Sequence, residues 1–281
     1  MGRGKSTRDI TAAKRDKRVA DWEAINAKGN KYVPFIDPRD IKSAGSKGRT
    51  PDYENDGQDK RVLSHNERLF AYLLMFDNNI MWSKEQYPLL PIKRTIAVAK
   101  QLKIRHPKYP GTNVHAVMTT DFYSGKVDGN EVVYSIKDDE QIKKLTVLQL
   151  KNLENKEKIQ RAFWESKGIK YYLIHSSQYK HSAFTKNLGK LAPNLKLPFE
   201  LELILKRWLN SFKLTLRSKT QGRLSTLLQA TSESVGIEYK QSITLFQYCL
   251  WHKYITANLN IPLFYERPIS EFNLKVVNPN D

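Results

Sequence analysis

Cys249 is the only cysteine among 281 residues. One thiol forms no internal disulfide and builds no cysteine zinc cluster, and a lone cysteine fits a reducing cytoplasm. Long apolar runs are also missing. None approaches the roughly 20 residues of a membrane-spanning helix, so the sequence predicts no membrane segment. No apolar stretch follows Met1-Gly2-Arg3-Gly4-Lys5, which argues against a secretory signal, and Gly2 among basic residues does not argue for myristoylation. There is no Gly-x-x-x-x-Gly-Lys-Ser/Thr loop for nucleotide phosphates and no Gly-x-Ser-x-Gly elbow. The histidines at 65, 106, 115, 175, 181 and 252 lack metal-ligand spacing and read as packed or surface residues.

Acidic residues are scarce as well. There are 29 against 47 Lys and Arg, a net charge of +18, which favours a polyanionic partner. The excess is uneven: residues 143–223 hold 18 Lys or Arg and 5 Glu, whereas residues 61–139 hold 11 basic and 8 acidic residues. The basic surface therefore follows the region where the acids gather.

What is present is enough apolar material, 40%, for one large domain or two modest ones. Residues 1–30 are basic, with helical character over 9–26; Lys14, Arg15, Lys17 and Arg18 read either as a DNA-contacting arm or as a solvated terminus. Residues 31–60, with Pro34, Pro38, Pro51 and the run Ser43-Ala44-Gly45-Ser46-Lys47-Gly48, read as a wrapping loop. A helix is predicted over 63–77, with Ser64 as N-cap and Leu69, Phe70, Leu73 and Leu74 on helical spacing. A strand over 80–86, a helix over 95–103 and a loop over 106–111 follow. Next comes a β-hairpin, 114–123 returning as 131–137 around Gly125 and Asp128-Gly129-Asn130. A long helix over 143–166, stopped at Gly168, leads to a buried strand over 170–175. This order predicts the α/β class, with an α/β/α core and a mixed sheet, over residues 31–180. Residues 181–281 read as an all-α, winged-helix-like domain. Its helices fall over 184–191, 199–212, 224–234 and 240–252, followed by a two-strand wing over 254–265 turning at Asn258-Leu259-Asn260, with 194–198 as a candidate linker.

Chemistry concentrates in 121–137. Side chains alternate along a strand, so Ser135 and Lys137 share a face and Ile136 takes the other. A hairpin that brings Asp121 onto the first face puts a carboxylate and an ammonium on one rigid platform. Such groups suit phosphodiester hydrolysis, where a hard cation takes oxygen ligands and a lysine orients water and offsets developing charge. Glu67 is the upstream carboxylate that would complete the set. It also stands three residues after Ser64, the spacing of a capping box, and spacing alone leaves both roles open. Asp138, Asp139 and Glu140 read as favouring a helix N-terminus or as supporting a metal.

Four stretches resemble the TnsA family, the endonuclease subunits of heteromeric TnsA–TnsB cut-and-paste transposases. They are Tyr32-Val33-Pro34-Phe35 with Ser43-Ala44-Gly45-Ser46-Lys47-Gly48-Arg49; Ser64-His65-Asn66-Glu67-Arg68-Leu69; Lys84-Glu85-Gln86-Tyr87-Pro88-Leu89-Leu90-Pro91, the most specific; and Thr119-Thr120-Asp121-Phe122 with Ile136-Lys137. The resemblance implies a restriction-endonuclease-like nuclease domain with a site of the Asp…x-x-Lys kind. Glu67, Asp121 and Lys137 would be catalytic. Glu67, Asp121 and the Ile136 carbonyl would hold Mg²⁺, with Mn²⁺ able to substitute. Ser135 stands where a longer polar or acidic residue is usual. Glu85 and Gln86 are supporting candidates, and Glu85, Asp138 or Glu157 are candidates to compensate for Ser135. The implied partners are transposon-end DNA, a TnsB-like DDE transposase that cuts and joins the 3′ ends while this subunit nicks the 5′ strands, and a TnsC-like ATPase regulator. The rival readings are a non-catalytic DNA-binding adaptor and a stand-alone restriction or junction-resolving nuclease.

Overall fold

A four-stranded sheet organises the first half of the chain. The computed structural model describes residues 10–29, 31–37, 48–52, 58–218 and 221–277, and the chain divides into two compact units, Met1–Gln178 and Tyr179–Asp281. The first holds α1 (Ala12–Ala27), the antiparallel pair β1 (Gly48–Asp52) and β2 (Gln58–Val62), α2 (His65–Phe76), β3 (Ile80–Pro88), α3 (Ile92–Gln101), β4 (Thr119–Lys126), β5 (Glu131–Lys137), α4 (Asp139–Ile142), α5 (Val147–Glu165) and β6 (Lys170–His175). The main sheet runs β3-β4-β5-β6. Its first two pairings are antiparallel and β5–β6 is parallel. A parallel link needs a crossover, and α5 supplies it.

Helix α2 covers one face through Phe70, whose ring lies 5.8 Å from Phe122 and 5.2 Å from Tyr134. Helices α3 and α5 cover the other: Val98, Ala99, Ile159, Phe163 and Trp164 are buried with Met118, Val133 and Tyr171. This is the α/β/α layering with a mixed sheet expected of a restriction-endonuclease-like core.

Local chemistry explains where boundaries differ from expectation. The long helix begins at Val147, not 143, because Thr146 and Gln149 close a capping box there, while Asp138 caps the separate turn α4. Strand β4 begins at Thr119, not 114, since the preceding backbone bonds to itself: Ala116 N donates to Pro107 O, and Tyr109 N to Val114 O. At its far end β4 runs through Gly125, which the hairpin expectation put in the turn. The Trp82 indole lies over that position so closely that a Cβ would sit 2.3 Å from it. Only glycine allows this approach.

Two residues of the basic segment bond within the chain. Arg15 Nη1 donates to His115 O at 3.3 Å. Arg18 Nη2 donates to Phe35 O at 2.7 Å, with its guanidinium 4.8 Å from the Phe35 ring centre. Trp22 Nε1 donates to Val33 O at 2.7 Å. Helix α1 is thereby bound onto the rest of the first unit, Arg15 also pairing with Asp16 at 2.7 Å. The run Ser43 to Lys47 lies outside the described residues.

The second unit holds α6 (Ala183–Leu191), α7 (Phe199–Ser218), α8 (Leu224–Val235), α9 (Tyr239–Trp251), β7 (Ile255–Thr256), α10 (Ile269–Phe272) and β8 (Lys275–Val276). Trp208 and Phe212 stack inside it, and the Trp208 indole donates to Ser242 Oγ at 2.9 Å. Cys249 is buried there, and burial pushes its thiol pKa up. The expected wing over 254–265 is not formed: β7 pairs with Lys275–Val276 instead. The reason is Asn187, almost fully buried, whose side chain takes the strand's place. Its amide donates to Leu259 O at 2.9 Å and Ile261 O at 2.7 Å, and its oxygen accepts from Leu263 N at 2.9 Å. Residues 194–198 are no linker either, since Leu195 and Leu197 are buried. Among the described residues, no helix is long and apolar enough to cross a membrane.

Candidate active site

The β4–β5 ladder stops at Phe122–Tyr134. One step further, Asp121 and Ser135 face each other, and the Asp121 carboxylate replaces the missing ladder bond. Its Oδ2 accepts from Ile136 N at 2.6 Å and from Ser135 Oγ at 3.5 Å. The contact Ile136 makes here is therefore through its N–H.

On the other side, β3 pairs Glu85 with Phe122 and Tyr87 with Thr120, which leaves Gln86 opposite Asp121. Gln86 is buried and has a φ of 48°, a conformation that strains a residue with a Cβ by about 1–3 kcal/mol. It is held from three sides. Phe35 N donates to its carbonyl at 3.2 Å, Thr119 Oγ1 donates to its Oε1 at 3.1 Å, and its Nε2 points at the acids. That nitrogen lies 3.4 Å from Asp121 Oδ1 and 3.4 Å from Glu67 Oε2. Glu85 is buried beside Tyr32. Its carbonyl accepts from the Tyr32 hydroxyl at 2.8 Å, and its charge helps to push the Tyr32 pKa up.

Glu67 sits in the first turn of α2. Ser64 caps that turn by accepting from Glu67 N at 3.1 Å. Glu67 Oε1 accepts from Ser64 Oγ and Oε2 from Leu63 N, both at 3.0 Å. Glu67 thus bonds back to the residues that open its helix while the same Oε2 lies 3.4 Å from Gln86 Nε2. Burial, and after it the Asp121 charge, push the Glu67 pKa up to about 8. Burial also raises Asp121, against the Lys137 ammonium and the Ile136 N–H.

Lys137 is pinned in turn. Its Nζ donates to Ser135 Oγ at 2.8 Å and meets Glu157 Oε1 at 2.8 Å. With 15% and 12% of these two side chains exposed, solvent screens the pair little. Burial alone would lower the Lys137 pKa, but the Asp121 and Glu157 carboxylates hold it above the ordinary lysine value.

Glu157 is the residue that sequence reasoning only brushed, as one of three acids able to compensate for Ser135. Of the other two, Asp138 caps α4, and the Glu85 backbone carbonyl accepts from Tyr32. Glu157 reaches Ser135 Oγ at 3.4 Å, and its second oxygen accepts from the Tyr171 hydroxyl. The available signal was position: Glu157, Gln160 and Trp164 fall on one face of α5, an acid on the core side of a helix. Glu67 and Glu157 therefore come from helices on opposite faces of the sheet and meet around the same strand ends.

Among the described residues, no group of three or more His, Cys, Asp and Glu is placed to hold a metal. A magnesium ion needs only one or two carboxylates, the rest being waters and substrate oxygens. Glu67 Oε2 and Asp121 Oδ1, each 3.4 Å from Gln86 Nε2, are two carboxylate oxygens, within that number.

Residues 77–176 match the family model described as TnsA-like endonuclease N terminal. That stretch is similar to TnsA-like endonuclease domains. The chain is also 28% identical over 146 residues to the Transposon Tn7 transposition protein TnsA of Escherichia coli. That alignment takes in 52% of this chain and 50% of the relative, so the chain spans about half the length of the curated protein it matches. The matched stretch contains Gln86, Asp121, Ser135, Ile136, Lys137, Glu157 and Tyr171. Glu67 lies ahead of the matched stretch, delivered by α2 of the same unit.

Proposed function

We propose that this chain is the metal-dependent DNA endonuclease subunit of a heteromeric transposase, nicking the 5′, non-transferred strands at the transposon ends. One observation above all supports this reading: Glu67 and Asp121, from different elements, reach a single amide nitrogen beside an ammonium held in a shielded pocket.

In this reading Glu67, Asp121 and the Ile136 carbonyl hold Mg²⁺, with Mn²⁺ able to substitute. The ion supplies Lewis acidity at the phosphodiester and acidifies a bound water. Lys137 orients the attacking water and offsets charge developing on the phosphate. Ser135 is too short to bind a cation alongside Asp121 and serves Lys137 instead. Glu157 fixes the ammonium's position, and Tyr171 fixes Glu157. The partners are transposon-end DNA, a TnsB-like DDE transposase acting on the 3′ ends and a TnsC-like ATPase, in the cytoplasm.

The test is Asp121→Ala in a reconstituted transposition reaction. The expected result is conversion of simple insertions into cointegrates, because joined 3′ strands stay attached to the donor when the 5′ strands are uncut. Unchanged simple insertions overturn the assignment and favour a non-catalytic adaptor.

A further inference from the structure

The parallel register between β5 and β6 sets Lys137 directly against His175. Side chains at paired positions of neighbouring strands leave the same face, about 4.8 Å apart. The imidazole thus stands one strand beyond Lys137, on the face that also bears Asp121 and Ser135, where β6 forms the edge of the sheet.

Its orientation is built. Nδ1 donates to Asp139 Oδ1 at 2.7 Å. Asp139 is fixed by Ser177 N at 2.7 Å and Ser176 Oγ at 3.3 Å, both on its Oδ2. The Ser177 N–H, with His175 adding to it, holds the Asp139 carboxyl well below the usual range. With Nδ1 committed, Nε2 is the outward atom, and 42% of the side chain is exposed. Among the described residues nothing bonds Nε2. A carboxylate that orients an imidazole and leaves its far nitrogen open is the arrangement proteins use to aim a histidine at a ligand.

We infer that His175, aimed by Asp139, grips a phosphate of the DNA strand next to the one at Lys137. Nδ1 stays on Asp139, and Nε2 turns to an oxygen of that phosphate. The contact is non-covalent and fixes the strand's register over the site; it makes His175 a positioning residue. The inference rests on the proposed function for its ligand, since only a nucleic acid substrate brings a second phosphate to this place.

Phosphate contacts are read from salt dependence. Binding of the full-length protein to a fluorescein-labelled DNA duplex is measured by anisotropy over a range of salt concentrations. His175→Ala is expected to lower the slope of log K against log salt by about one. His175→Lys, which puts a phosphate-binding side chain at that place, is expected to restore it. An unchanged slope in His175→Ala overturns the inference, and so does a loss that His175→Lys leaves unrestored, because the defect is then structural. The readout needs no cleavage. A chain that binds as described but yields simple insertions with Asp121→Ala loses the nuclease reading and keeps the contact. A chain that gives cointegrates with Asp121→Ala but an unchanged slope with His175→Ala loses only the contact.

Discussion

Gln86 lies opposite Asp121 across β3 and β4, and its amide nitrogen stands 3.4 Å from the Asp121 carboxylate. The same nitrogen is 3.4 Å from Glu67, so one neutral side chain is shared by two acids that repel each other. Burial, and after it the Asp121 charge, push the Glu67 pKa up to about 8, so Glu67 holds its proton to about that pH.

That proton makes stability depend on pH. The folded pKa of Glu67 lies above its ordinary value of 4.5, so between 4.5 and about 8 the folded state binds a proton that the unfolded state releases. The contribution is complete at low pH and is lost as pH rises through the window. Relative to Glu67→Gln, the metal-free wild type should therefore lose stability from pH 5 to pH 8, by no more than about 1.4 kcal/mol per pH unit. Thermal unfolding of both proteins across that range checks it, and parallel profiles would contradict the protonated Glu67.

Lys137 and Glu157 act as a pair. Lys137→Ala should lower 5′-strand cleavage by roughly 100-fold, the usual scale for removing one preorganised charge. Glu157→Gln keeps the lysine but releases it, and should cost about 10-fold. The double variant should be no worse than Lys137→Ala alone, because Glu157 acts through the lysine. Single-turnover cleavage rates in the reconstituted reaction decide this; additive losses would show that Glu157 works independently.

Gly125 has no room for a side chain beneath Trp82. Gly125→Ala should destabilise the protein by about 1–3 kcal/mol. Adding Trp82→Ala should cost less in that background than in the wild type, because the clash has gone. Urea denaturation of the four proteins measures the coupling, and independent effects would rule out the contact.

Asn187 replaces a strand in the second unit, with three bonds to the segment 259–263. Asn187→Ala leaves buried backbone groups unpaired and should cost about 3 kcal/mol. Asn187→Leu, which fills the space without the bonds, should not recover it. Chemical denaturation tests both; recovery by leucine would make the site one of packing.

Much of the fold was legible because it is encoded locally. Ser64 followed by Leu69 and Phe70 at helical spacing announces α2, and Gly168 stops the chain before β6. The hairpin from Asp121 to Lys137 is written in alternating β-formers around Asp128-Gly129-Asn130. Less legible were features whose cause lies far along the chain. Gly125 belongs to a strand because Trp82 covers it. The supposed wing fails because Asn187, more than 70 residues earlier, binds its carbonyls.

By itself the sequence determined the residue types of the site, the layers that hold it and the resemblance to TnsA endonucleases, since periodicity, caps and motifs are properties of neighbouring residues. Tertiary structure alone decided the company those residues keep. It turned Gln86 inward at a strained φ and let Glu67 bond the residues ahead of its helix while facing Asp121. It also brought Glu157 from α5 to the lysine beside Ser135. The physical reason is that repulsion between buried acids, and its relief by an ammonium or an amide, acts through space over a few ångströms, and sequence distance does not report that separation.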